Sequence, residues 1–139
     1  INPSMSKAPP MPDDVKEAFR AFPKEARMRL TWARTQIYES AAVSGAGALT
    51  ETLKWGQPAY LTKVTKAGST VRLGLHQGHP ALFFNCQTSL VEGFRADFPE
   101  AFTYVGNRAA LLDDMSEAEV LGICLARAMT YHRNKRRRR

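Results

Sequence analysis

Thr70-Val71-Arg72-Leu73-Gly74-Leu75-His76-Gln77-Gly78-His79-Pro80-Ala81-Leu82-Phe83-Phe84-Asn85 is the stretch whose reading decides the fold. Val71, Leu73 and Leu75 alternate with Arg72 and His76, the period of a half-buried strand over 70–76. Gln77-Gly78-His79-Pro80 is a turn cluster, and 80–85 reads as the next strand. Upstream, 58–63 has the same character and is joined through the turn residues Lys66-Ala67-Gly68-Ser69. Three short-linked strands predict an antiparallel meander. Downstream, 88–97 reads as a helix with Leu90, Val91, Phe94 and Phe98 as its buried side, and Ser89 and Glu92 have capping-box spacing. Two further short strands, 102–105 and 108–112, flank Gly106-Asn107.

Helices are expected on both sides of this block. Asp13 and Asp14 open a helix over 13–21, where carboxylates favour the positive end of the helix dipole. Pro23 suits the first position of a second helix that runs to Val43, with Leu30, Ala33, Ile37 and Ala41 as its apolar stripe, and Ser44-Gly45-Ala46-Gly47 ends it. Residues 50–55 read as one more helical turn, stopped by Gly56. In the last helix, Ser116 and Glu119 form a capping box, Met115 and Val120 a hydrophobic staple, and Leu121, Cys124, Leu125, Ala128 and Tyr131 the apolar stripe. Helices, three strands, a helix, two strands and a C-terminal helix give an α+β class. The expected form is a single compact domain over 13–132 with an antiparallel sheet of about five short strands and helices packed on one face. Residues 1–12, with Pro3, Pro9, Pro10 and Pro12, read as a mobile arm, and 133–139 as a basic tail.

The chain has 139 residues, 44% hydrophobic and 24% charged, within the range of ordinary folded domains. Its formal charge of +7 is concentrated at one end. Arg133, Lys135 and Arg136 to Arg139 supply 6 of the 20 basic residues, so the rest carries 14 against 13 acidic residues, a net +1. The basicity therefore marks a tail that reaches nucleic acid weakly or is simply solvated, and not a basic binding face. Cys86 and Cys124 form no CxxC pair and read as reduced thiols. No apolar run is long enough to span a bilayer and the start does not read as a signal peptide, so a cytoplasmic location without membrane contact is expected.

Leu53-Lys54-Trp55-Gly56-Gln57-Pro58-Ala59-Tyr60 resembles the Trp-Gly-x-Pro-x-Tyr motif that opens the first strand of the YdhG-like family (domain of unknown function 1801). Arg72-Leu73-Gly74, the run from Leu82 to Thr88, Phe94-Arg95-Ala96-Asp97-Phe98-Pro99 and Gly106-Asn107-Arg108-Ala109 continue the resemblance in order. It covers about residues 22–133. The resemblance implies a compact α+β domain of a largely uncharacterised bacterial family, one branch of which is described as a frataxin-like intracellular iron chaperone. Iron handling needs clustered oxygen ligands. The candidates are Asp13, Asp14 and Glu17, with Asp113, Asp114 and Glu117, and all of them sit where helix dipoles also favour acids.

No set of acid, base and nucleophile is visible, so no catalytic residue, cofactor or metal is assigned and the balance leans away from an enzyme. Zinc needs three or four converging N/S ligands, of which the sequence supplies His76, His79 and Cys86 near one loop, and a Cys–His nucleophile lacks a third group to orient the imidazole. Trp55 is expected to pack under the sheet, the alternative being the aromatic wall of a ligand cleft. Arg72, Arg95 and Arg108 are a possible anion clamp if their guanidinium groups converge, and surface arginines paired with Asp97 or Glu92 if they do not. The site expected from this reading is one pocket bordered by Tyr60, Arg72, Asn107 and Arg108, open to a small anion, a metabolite or a protein partner.

Overall fold

The computed structural model describes residues 8–113 and 117–137. Two helices lead, α1 (Asp13–Ala21) and α2 (Lys24–Ser44), followed by β1 (Thr50–Lys54), β2 (Gln57–Leu61), β3 (Val71–His76) and β4 (His79–Phe84). Then come α3 (Leu90–Asp97), β5 (Tyr104–Val105), β6 (Ala109–Leu111), α4 (Ala118–Met129) and α5 (Tyr131–Arg137). The strands form a six-stranded antiparallel sheet in the order β1-β2-β3-β4-β6-β5, an α+β fold.

The alternation of 71–76 is realised as expected. Val71 and Leu73 are buried with Tyr60, Leu82, Phe84 and Ala110 against Val15 and Phe19 of α1, Leu30 and Ile37 of α2, Phe94 of α3, and Leu121 and Leu125 of α4. Each buried Leu, Phe or Val is worth about 1.5–3 kcal/mol, so this one core holds the helices to one face of the sheet. The other face carries Ala59, Arg72, Gly74, Ala81, Phe83 and Ala109, which the register aligns in adjacent strands. Ala81, Phe83 and Ala109 form a second, smaller apolar cluster there.

Several local expectations are corrected. Residues 50–54 are the edge strand β1 and not a helical turn. Lys54 pairs with Gln57, so Trp55-Gly56 is a two-residue hairpin loop with φ of 56° and 75°, the signs of a type I′ turn. Gly56 signals a left-handed backbone, which a helix C-terminus and a type I′ turn both use, hence the misreading. Gln77-Gly78 repeats this turn between β3 and β4, with φ of 50° and 83°. Trp55 is 89% exposed and is not packed under the sheet. The Ser89 capping box is not formed; Leu90 N–H instead donates to Thr88 Oγ1 at 3.4 Å. Pro23 is the N-cap of α2 and not its first helical residue. The capping box at Ser116 and the staple at Met115 lie outside the described residues.

Both ends of the domain are engaged. Within the expected arm, Pro9 O accepts from Arg34 Nη2 at 2.7 Å and Met11 packs on the core. Within the expected tail, α5 includes residues 133–137, and Arg133 donates from Nη1 to Gly45 O and from Nη2 to Ser44 O, both at 3.0 Å. A cation on the last carbonyls of α2 satisfies acceptors that the helix leaves open. Arg133→Ala is therefore expected to lower stability by about 1–3 kcal/mol in urea unfolding, the range for hydrogen bonds to a charged group. No helix among the described residues is long and apolar enough to cross a membrane.

Candidate functional site

The face away from the helices places Arg72 where alternation predicted, between Val71 and Leu73 and opposite Ala59 on β2 and Phe83 on β4. Its guanidinium lies 5.5 Å from the Phe83 ring centroid, and Nη1 donates to Gln57 Oε1 at 2.5 Å. Gly74 makes room for that Gln57 side chain, since a Cβ there would sit 2.4 Å from Gln57 Nε2. Arg72 is thus held from two sides, by a ring below and an amide beside it.

Arg108 precedes β6 at the rim of the same region, and its carbonyl accepts from Phe84 N–H at 2.7 Å. Arg72, Arg108 and Lys54, the last residue of β1, line one concavity of about 290 Å³ together with Trp55, Thr70, Phe84, Asn85 and Cys86. No carboxylate lines it, and none of its three cations has an ion-pair partner among the described residues. Burial, and then the neighbouring charge of Arg108, lower the pKa of Arg72 from the usual guanidinium value. Arg72 and Arg108 are thus like charges near one another on a concavity that no carboxylate lines.

Two of the four expected site residues do not line this concavity. Tyr60 pairs with Val71, so it faces the helices, where it is fully buried and donates to Glu51 Oε2 at 2.8 Å. Burial and the Glu51 charge hold its phenol well above the usual range. Asn107 acts on the backbone, Nδ2 donating to Cys86 O at 2.8 Å and to Thr88 O at 3.1 Å. It ties the loop after β4 to the β5–β6 turn and so positions Cys86 and Arg108. The left-handed residue of that turn is Gly106, with φ 51°, and not Asn107. Arg95 is likewise removed from the clamp, since it donates to Gly106 O at 2.7 Å and stacks on Tyr104. It pairs with neither Asp97 nor Glu92, and Asp97 instead binds Arg127 at 2.7 Å.

Lys54 is the site residue that the sequence reading missed. Trp55 as an aromatic wall was the weaker alternative, because the hairpin that carries it was read as a helix end. The histidines stay apart from Cys86: His76 and His79 close the β3–β4 hairpin at the opposite end of β4, seven residues or about 20 Å away at strand rise. His79 Nδ1 lies 3.1 Å from Asp113 Oδ1.

Among the described residues no group of three or more His, Cys, Asp or Glu side chains is placed to hold a metal ion. Of the acidic candidates, Asp14 accepts from the N–H of Val15 and Glu17 pairs with Arg20. A larger cleft of about 610 Å³ opens between α3, α4 and α5. Of its cations Arg127 is paired with Asp97, so among the described residues Lys135, over the ring of Tyr131, is left without an ion-pair partner there, against three cations in the smaller concavity. Size favours that cleft as a default ligand site; unpaired charge favours the smaller one, and charge is the more specific signal. Compared with family models, curated proteins and solved structures, the chain gives no match.

Proposed function

We propose that this domain is a non-enzymatic binding module that holds one small anionic group, a carboxylate or phosphate, against Lys54, Arg72 and Arg108. The observation that carries the reading is the concentration of three cations on one concavity without a carboxylate among its lining residues. Half-buried Arg72 lies near the charge of Arg108, and a bound anion turns that repulsion into attraction. Arg72 is pre-organised for the task, so little side-chain freedom is lost on binding. The Cys86 thiol lines the same concavity, but no His, Asp or Glu stands among the lining residues to act as its base, which favours binding over catalysis. A small anion is favoured over nucleic acid held by the basic end because three cations share one concavity of the folded sheet, whereas Arg133 of that end is spent on the carbonyls of α2. Membership of the YdhG-like family belongs to the same proposal and rests on the motif residues quoted above. Its iron-chaperone branch finds less support here, since Glu17 and Asp113 are paired with a cation and a histidine.

Thermal shift and calorimetry with inorganic phosphate and acetate, against chloride at matched ionic strength, test the site. Arg72→Ala and Arg108→Ala are each expected to weaken phosphate binding by about 10-fold or more, as charge-assisted hydrogen bonds are lost. Arg108→Ala, at an exposed position, should change stability by less than about 1 kcal/mol, the usual range for surface substitutions. A wild-type protein whose Tm is indifferent to phosphate, or variants that bind it undiminished, would remove the site.

A further inference from the structure

Among the described residues Trp55 is the only exposed large aromatic side chain, and it stands 89% exposed at the lip of the cationic concavity. Its place in the turn is also unfavourable. The first loop position of a type I′ turn needs positive φ and prefers Asn, Asp or Gly, yet Trp55 sits there at φ 56°. Gln77 tolerates the same backbone in the next hairpin, so conformation alone is not the signal. The signal is a large apolar ring carried into water, at a position that disfavours it, beside three unpaired cations. Residues kept in disfavoured conformations tend to cluster at functional sites.

We infer that the ligand is a mononucleotide-type compound, a planar aromatic ring bearing a phosphate, with the ring stacked on the Trp55 indole and the phosphate on Lys54, Arg72 and Arg108. The inference rests on the anion-binding reading and narrows it. A phosphate monoester carries about −1.5 to −2 charges at neutral pH, a closer match to three cations than a single carboxylate offers. The volume of about 290 Å³ lies near the lower end of small-molecule sites, which suits one ring and one phosphate and not a dinucleotide. Indole stacking tolerates any base, so affinity for the ring follows from its face and not from its edge.

Calorimetric titration of the full chain with inorganic phosphate, adenosine 5′-monophosphate and adenosine separates the contributions. The monophosphate is expected to bind about 5- to 100-fold more tightly than phosphate, the range that stacking on one aromatic residue supplies. Trp55→Asn puts the residue this turn prefers in place of the indole, so its Tm should equal or exceed that of the wild type. It should abolish the advantage of the monophosphate over phosphate, with Trp55→Phe intermediate. Arg108→Ala should weaken both anions. A monophosphate that binds no better than phosphate, or an advantage that survives Trp55→Asn, would overturn the nucleotide assignment and leave the anion site standing. Failure of both anions to bind would overturn the two together.

Discussion

Glu51→Ala is expected to lose about 3–5 kcal/mol of unfolding free energy, the cost of leaving a buried charge without its partner. Glu51 and Arg34 are among the least accessible charged side chains in the described structure, 4% and 7% exposed. Arg34 approaches the carboxylate as a fork, Nε to Oε2 at 2.6 Å and Nη2 to Oε1 at 2.8 Å. Tyr60 and Tyr38 add hydrogen bonds at 2.8 and 3.2 Å. Burial alone would lower the pKa of Arg34, but the Glu51 hydrogen bond and charge outweigh it and the net direction is upward. Removing the carboxylate strands the guanidinium and both hydroxyls at once. The double variant Glu51→Leu with Arg34→Leu should be less damaged than either single change, because an apolar pair leaves no charge behind. Urea unfolding with a constant m-value measures all three. A loss below about 1 kcal/mol for Glu51→Ala would show that water reaches the pair and that the network holds little.

The parts of this fold that could be read in the sequence are those decided within one element. Val71, Leu73 and Leu75 point one way because successive residues of a strand alternate, whatever the strand pairs with. Leu30, Ala33, Ile37 and Ala41 are buried because a helix repeats every 3.6 residues or so. The same stripe carries one charged residue. Arg34 falls between Ala33 and Ile37, on the buried side, and an arginine there requires an anionic partner. That partner is 17 residues away on a strand read as helix, so the pair became legible only with β1 in place.

The candidate site divides along the same line. Arg72 was assigned to the open face by alternation, and it lies there. Tyr60, expected to border the same pocket, does not lie beside it, because the face of Tyr60 depends on register and pairing with Val71 turns it inward. Register is set between strands, and no single strand carries it. Asn107, expected to border the pocket, instead acts through its amide on two carbonyls of a distant loop. Lys54 and Trp55 entered the site only once Gly56 became the second residue of a hairpin loop instead of a helix stop.

Gly68→Ala is expected to destabilise the protein by about 3 kcal/mol or more, a large effect for one methyl group. The requirement is space and not backbone freedom, since Gly68 is not among the positive-φ glycines. A Cβ at this position would lie 2.2 Å from the carbonyl carbon and oxygen of Met129 and 2.3 Å from its Cα. Backbone cannot rotate out of the way as the end of a side chain can, so the segments themselves must separate. They are joined by hydrogen bonds from Ser69 N–H to Ala128 O at 2.8 Å and from Arg133 N–H to Ala67 O at 2.9 Å. Thr62 Oγ1 adds an internal brace, accepting from Gly68 N–H at 2.9 Å. Overpacking of this kind costs about 1–3 kcal/mol, and each buried hydrogen bond lost adds about 1 kcal/mol. Because the displaced loop also loosens the anchor of α5, Arg133→Ala in the Gly68→Ala background should cost less than it does alone. Gly93→Ala is the opposing control: nothing lies within 4 Å of its Cβ and it sits inside α3, so helix propensity should raise stability by up to about 1 kcal/mol. If the two alanine variants unfold at the same denaturant concentration, the close approach of the Gly68 loop to the α4–α5 junction is not a feature of the folded protein.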